Sequence, residues 1–399
     1  MKILVSNPSL QYTRNTVKAL LSGGHEVVYA TAYWYQPNRL FEKICATLFT
    51  PFNYKLLRYT DSNIPATSMR TSFLGTFLHF INKMLPLSVE QKSFWEDQIH
   101  DKWVSKLIIQ LKPELVIGYE KSCYRSFHSA EAIGARKWLD LSQVHPDFIK
   151  QLRNKYEFFQ SITGSENLFN QISEVKKNEY EVAVTIFCLS DFAANALIDT
   201  GIPTKKIIVN SLGFSPQLFF PCKNKSKKNI DSLKIIYAGI ITKRKGVDLL
   251  LDVCSSFSVN EIQLTLIGPS GDAIHNVNLL SYKKNIQYIP FTSQSELAEE
   301  FRNADLFVFP SYLDSWAAVV PEAMACGLPV IVTTNTGAAQ LVSAKNGIII
   351  PPGNKEALQN AIQFFLDHPE ERIQMGINAA NTVSNHSWIT YEKELLSHV

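Results

Sequence analysis

From one end of the chain to the other, short β-branched and apolar runs alternate with stretches of helical periodicity. That alternation confines the chain to α/β layers built on mostly parallel sheets. The first half carries KILVSN, EVVYAT, ELVIGY, KWLDL, TIFCLS and KIIVN; the second carries LKIIYAG, IQLTLIG, IQYIP, LFVFP, PVIVT and NGIIIP. Two sheets of about six strands each are expected, and 399 residues suffice for two domains that each bury a core. Between the two sets, Ser215 to Ser232 reads SPQLFFPCKNKSKKNIDS, whose prolines, lysines and polar residues mark a linker. The expected division is therefore a first domain over 1–215, a linker over 216–231 and a second domain from 232. The region from Arg39 to Gln110 is aromatic, basic and irregular, and reads as helical and loop insertions in the first sheet.

Composition narrows the function by exclusion. With 46% hydrophobic and 19% charged residues the chain is a folded globular protein. A net charge of +3 gives no footprint for nucleic acid, although it permits contact with phosphates or an acidic membrane surface. The six cysteines are scattered with no C-x-x-C pair, which points away from a zinc ribbon or disulfide framework and toward a reducing cytosol. The opening MKILVSNPSL has too short an apolar core for a signal peptide. The charge-free run Ala323 to Ala344 is broken by Gly327, Pro329 and TTNT, so it does not read as a membrane span. No G-x-G-x-x-G follows a strand, and G-x-x-x-x-G-K-[ST], H-E-x-x-H, G-x-S-x-G and D-x-D are missing. A dinucleotide dehydrogenase, P-loop enzyme, zincin, serine hydrolase or Asp-paired metal site is thus unsupported.

What remains are loops at the carboxyl ends of second-half strands, where open α/β sheets bind ligands. After IIYAG, Lys243, Arg244 and Lys245 crowd a turn before the helix VDLLLDV, a place for phosphate or simply a solvated basic turn. In PSYLDSWAAVVPEAMACGLPVIV, a loop from Ser311 to Ser315 precedes a helix expected from Trp316 and stopped by Gly327. Small residues at Ser315, Ala317 and Ala318 would let a diphosphate approach the helix amides. Asp314 and Glu322, about two turns into that helix, would flank the anion. Carboxylates accept hydrogen bonds from sugar hydroxyls, so a diphosphate between hydroxylated rings explains both acids together. A helix cap at Asp314 and a surface Glu322 explain each separately.

At these residues the chain resembles the GT-B-fold glycosyltransferases of family 4, retaining enzymes that use nucleotide-diphosphate sugars. The resemblance is densest from Leu233 to Asn354. DSWAAVVPEAMACGLPV matches the family's paired acids and E-A-M-A-C-G-x-P-V, with Asp314 in place of the first glutamate. AGIITKRKGVDLLL matches its G-R-x-x-x-x-K-G loop, and FRNADLFVFPS and TGAAQLVSAKNGIIIPPGN match its flanks. LSDFAANALIDTGIPTKKIIVNSLGFSPQLFFP resembles the end of the family's first domain, and SWITYEKELLSHV its closing helix, here 381–399 after a second domain over 232–380. The chain departs from the pattern at Ile240, where the family has arginine after Gly239, at Ala317, where it has glycine, and at Gln340, where it has glutamate.

The resemblance implies two Rossmann-like, doubly wound parallel-sheet domains facing a cleft. It implies that Glu322 holds ribose hydroxyls, Asp314 faces the transferred sugar and Lys245 neutralises the leaving diphosphate. Lys243 or Arg244 would replace the arginine missing at Ile240. Gly239 and the amides of Trp316, Ala317 and Ala318 would share the anion, and the turn near Phe291 would meet the nucleobase. His145, just past a strand in LDLSQVHPDF, would line the acceptor side of the cleft or else be structural. No metal or cofactor is expected beyond the nucleotide sugar as co-substrate. The partners implied are that donor and a glycan or lipid-linked acceptor. A cytoplasmic protein, peripheral at the inner face of the membrane, is expected if the aromatic stretch from Phe73 to Leu85 rests on lipid rather than in a core. A catalytically weak GT-B scaffold that binds nucleotide or glycan is the alternative.

Overall fold

The computed structural model describes residues 1–9, 12–34, 61–72, 86–222, 232–275 and 285–399. Two compact units emerge. The first comprises Met1–Cys188, Ala196–Val209 and Glu392–Val399; the second comprises Leu189–Asn195 and Asn210–Tyr391. The expected lipid contact at 73–85 and the lysine-rich core of the linker at 223–231 lie outside the described residues.

In the first unit the strands are β1 (Lys2–Ser6), β2 (Glu26–Thr31), β3 (Met69–Thr71), β4 (Leu115–Tyr119), β5 (Arg136–Leu141), β6 (Thr185–Cys188) and β7 (Ile207–Val209). All pairs are parallel, in the order β3-β2-β1-β4-β5-β6-β7. In the second unit β8 (Leu233–Ala238), β9 (Ile262–Ile267), β10 (Ile286–Ile289), β11 (Leu306–Phe309), β12 (Val330–Thr333) and β13 (Gly347–Ile350) pair in parallel as β10-β9-β8-β11-β12-β13. Central strands such as β11 and β12 are buried at every residue, as expected of parallel strands covered on both faces, whereas edge strand β13 leaves Ile349 exposed.

Every strand expected from the sequence forms. β3 is an addition, three residues long, with Arg70 exposed at the sheet edge. The helices that position the functional groups are α1 (Thr13–Ser22), α2 (Val89–Leu111), α3 (Tyr124–Ala132), α4 (Pro146–Lys155), α5 (Phe158–Thr163), α6 (Glu166–Val182) and α7 (Asp191–Ile198), then α8 (Val247–Cys254), α9 (Gln294–Asn303) and α10 (Val319–Ala325). Strand order reverses between β1 and β4 in one sheet and between β8 and β11 in the other. These are the points at which open α/β sheets hold ligands beyond their carboxyl ends.

One expectation is corrected. The helix thought to begin at Trp316 begins at Val319, so Glu322 lies in its first turn, not two turns in. Ala317 has a φ of 64° and cannot continue a right-handed helix backward. The Asp314 carboxylate instead folds residues 314–317 into a tight loop, its Oδ1 accepting from the amides of Trp316 (3.1 Å) and Ala317 (2.9 Å). Gly327, with a φ of 83°, ends the helix as expected.

Candidate functional site

The loops after β8 and β11 meet at the switch point of the second sheet. The first leaves the strand through Gly239 and turns under the Tyr237 hydroxyl, which donates to Ile240 O (2.9 Å). It then forms a single 3₁₀ turn over Lys243–Lys245, capped by Thr242. Gly246 ends the turn at a φ of 71°, and a β-carbon there would lie 2.2 Å from Pro310 O. Only glycine therefore lets the two loops touch. Across that contact the carbonyl of Arg244 accepts from Tyr312 N (2.8 Å) and Ser311 Oγ (3.2 Å), and Arg244 Nη1 donates to Leu313 O (3.3 Å).

This docking brings Lys245 to Asp314. The ammonium pairs with Oδ2 of the carboxylate and lies 5.3 Å from the centre of the Phe309 ring, which stacks in turn on Tyr237. Both side chains are largely buried. Burial pushes the Asp314 carboxyl up, but the charge and hydrogen bond of Lys245, with Arg244 behind it, outweigh burial and hold the acid below its ordinary value. Arg244 acts on both members of the pair, so the cluster of two cations and one anion keeps one positive charge. Lys243 does not join it: its backbone is held by Asp272 (2.9 Å) and its charge acts on Asp248. Of the two cations considered as replacements for an arginine at Ile240, the structure brings Arg244 to the cluster. Ile240 itself is exposed.

Glu322 is built differently. Burial alone pushes its carboxyl up to about 8, and it makes no side-chain hydrogen bond or ion pair among the described residues. An isolated acid of this kind is protonated at neutral pH and holds unused hydrogen-bonding capacity. Of the three amides expected to cradle an anion, those of Trp316 and Ala317 are turned onto Asp314, leaving that of Ala318. The Trp316 ring is buried against His386 (6.2 Å between centres), and its Nε1 has no hydrogen-bond partner among the described residues. Phe291 stands 83% exposed just beyond β10, at the edge of the sheet.

Sequence reasoning missed a brace behind the loop. Ser190 Oγ donates to Ser315 O (2.6 Å), while Gln340 Oε1 accepts from Asp191 N (2.8 Å) and its Nε2 donates to Ser211 Oγ (3.3 Å). Gln340 thus ties the start of α7 to Ser211 within the second unit, a task its amide performs with one acceptor and one donor, which a carboxylate would not supply.

In the first unit His145 caps α4: its Nδ1 accepts from Asp147 N (3.2 Å), which places the ring proton on Nε2. Burial lowers its pKa to about 4, so the ring is neutral. Around it Lys176 Nζ bridges Glu120 Oε2 (2.9 Å) and Gln143 Oε1 (3.1 Å). The hydroxyl of Tyr12 donates to Asp140, whose carboxyl burial raises to about 7. Groups of His, Cys, Asp and Glu able to hold a metal do not occur among the described residues, and no described helix is long and apolar enough to cross a membrane.

Residues 221–382 match the family model for Glycosyl transferases group 1. Among curated proteins, D-inositol 3-phosphate glycosyltransferase of Pseudarthrobacter chlorophenolicus is 28% identical over 164 residues, 39% of this chain and 39% of that protein. The chain thus spans about two fifths of the length of that relative. Among solved structures, a sucrose-phosphate synthase from Thermosynechococcus elongatus superposes with a TM-score of 0.72 at 18% identity, over 98% of this chain and 96% of the other. The Anabaena protein Alr3699/HepE in complex with UDP superposes with a TM-score of 0.68 at 15% identity, over 100% and 99%. The fold is accordingly GT-B: two Rossmann-like units on parallel sheets.

Proposed function

We propose that the protein is a retaining glycosyltransferase of family 4 that moves a sugar from a nucleotide-diphosphate sugar to a glycan or lipid-linked acceptor in surface polysaccharide, lipopolysaccharide or glycolipid synthesis. The observations that carry this reading are the Lys245–Asp314–Arg244 cluster at a switch point and, on the helix that follows the Asp314 loop, a Glu322 carboxyl without a partner among the described residues, all within the segment that matches the family model. Glu322, as a carboxylate, accepts hydrogen bonds from the ribose hydroxyls. Lys245, Arg244 and the Ala318 amide take the diphosphate. Asp314 keeps a lone-pair position on Oδ2 for the transferred sugar while its Oδ1 holds the loop. The UDP carried by the Anabaena protein makes a uridine nucleotide the first donor to try.

The chemistry follows from charge. As the bond between sugar and phosphate lengthens, positive charge develops on the sugar ring and negative charge on the diphosphate. In this reading Lys245, Arg244 and the Ala318 N–H face the oxygen on which negative charge grows, so they stabilise the transition state more than the ground state. In a retaining reaction the departing phosphate oxygen accepts the acceptor's proton, and no metal is required. His145 offers its neutral Nε2–H to an acceptor hydroxyl in the first unit. The weakly catalytic alternative draws on the exposed Ile240 and on the two loop amides engaged by Asp314.

A thermal-shift panel of nucleotide-diphosphate sugars tests the reading, because a ligand that binds only the folded protein at a hundred times its Kd stabilises by about 2.7 kcal/mol. The expected result is a selective rise for one donor, followed by transfer from that donor in the presence of a chelator. A melting temperature indifferent to every nucleotide sugar contradicts it. Binding without turnover supports the scaffold alternative.

A further inference from the structure

We propose that Tyr237 is a positioning residue for the reaction: its hydroxyl and its ring together hold the basic turn and the Lys245 ammonium in place for a leaving diphosphate. The proposal rests on the glycosyltransferase reading of this site and adds to it a residue that acts through another. Tyr237 is the penultimate residue of β8 and is fully buried. Two separate routes lead from it to the same cation.

The first route is the main chain. The hydroxyl donates to Ile240 O (2.9 Å), two residues before Thr242 caps the turn that carries Lys243, Arg244 and Lys245. Burial, and after it the charge of Asp314, push the phenol's pKa up, so the hydroxyl keeps its proton and stays a donor. The second route is aromatic. The Tyr237 ring stacks on Phe309 (5.8 Å between centres, 8° between planes), and Lys245 Nζ lies over the Phe309 ring, 5.3 Å from its centre. A ring face attracts an ammonium ion, and a second ring stacked on the first fixes where that face stands.

The strand end is shaped around this hydroxyl. Gly239 has a φ of 147°, and a β-carbon there would stand 2.9 Å from Tyr237 Oη and 3.7 Å from Phe309 Cε2, so a side chain would press on both rings. Three further bonds hold the same loop: Ile241 N to Pro269 O (3.0 Å), Ala273 N to Ile241 O (3.1 Å) and Lys243 N to Asp272 Oδ1 (2.9 Å). They attach it to the loop after β9, where Asp272 is exposed. Tyr237 attaches it to the core that also carries Phe309. A charge that must act on one oxygen loses effect when its support is loosened. In the glycosyltransferase reading that oxygen belongs to the phosphate bearing the sugar, which a nucleoside monophosphate lacks.

Calorimetric titration of the full chain with the di- and monophosphates of uridine, adenosine and guanosine tests the proposal. For the base that binds, Tyr237→Phe, which keeps the ring stack, should weaken the diphosphate about fivefold, as for one neutral hydrogen bond, and leave the monophosphate unchanged. In the Lys245→Ala background the same change should cause no further loss, because the two residues act as one unit. A purely structural tyrosine would weaken both nucleotides alike, with or without Lys245. Unaltered diphosphate affinity in Tyr237→Phe, equal losses for both nucleotides, a fivefold loss that persists without Lys245, or a wild type that gains nothing from the second phosphate overturns the assignment of Tyr237. A wild type that binds none of these nucleotides removes the glycosyltransferase reading and the proposal with it.

Discussion

Glu179 in the first unit and Glu322 in the second have carboxyls that burial pushes up to about 8, yet their surroundings are opposite. Glu179, on α6, accepts from the backbone amides of Lys121 (2.7 Å) and Cys123 (2.9 Å) at the start of α3. Asp101, on α2, does the same for the amides of Arg125 (2.8 Å) and Ser126 (2.9 Å). Helix α3 has no cap of its own, so two neighbouring helices supply acids to its free N–H groups, where the helix dipole also favours negative charge. Glu322 has no such duty. A raised pKa therefore marks burial in both units, and the lack of a partner among the described residues is what singles out Glu322 as the candidate ligand group.

The largest effect that would test this contrast belongs to the cation. Lys245→Ala removes the charge proposed to face the leaving diphosphate, and turnover should fall on the order of a hundredfold or more. The same change leaves the Asp314 carboxylate buried without its counter-ion, which should cost about 3 kcal/mol of stability. Steady-state kinetics, run well below the lowered melting temperature, separates the two losses. Wild-type turnover in the variant would remove Lys245 from the mechanism.

Glu179→Ala comes next. Two amides at the start of α3 lose their acceptor, so the variant should be destabilised by about 2 kcal/mol in urea unfolding while nucleoside diphosphate binding stays as in the wild type. Weakened binding with unchanged stability would reverse the roles assigned to the two glutamates. The smallest effect is at Ala317. Glycine there relieves about 1 kcal/mol of left-handed strain, and Ala317→Gly should raise the melting temperature slightly. A lowered melting temperature would mean that the loop is not strained as its φ of 64° indicates.

Much of the fold was legible because each strand is a compact apolar run between polar turns, which period and length alone can find. β3 escaped, being three residues with a charged middle. The two candidate acids, Asp314 and Glu322, stood out by their spacing, and the basic turn by its composition. Their arrangement was not. The partners Lys245 and Asp314 lie 69 positions apart, and nothing local says that the ammonium meets the carboxylate or that Arg244 stands behind both. The stretch WAAVV looks helical by composition, and the positive φ at Ala317 is imposed by the Asp314 carboxylate on the amides beside it. The acids serving α3 come from helices 25 and 56 positions away, a relation that periodicity does not encode.

The central claim, that the lone Glu322 carboxyl is a ligand group, is tested most directly by calorimetric titration of nucleoside diphosphate from pH 6.5 to 9 in the wild type and in Glu322→Gln. In the free protein the acid is protonated below about 8, and only the carboxylate is a full acceptor for ribose hydroxyls. Wild-type affinity should therefore climb with pH, approaching about tenfold per unit well below that value, and level off above it. The glutamine variant should bind more weakly with a flat profile. A wild-type affinity independent of pH, or a variant that binds as tightly as the wild type, would contradict the claim.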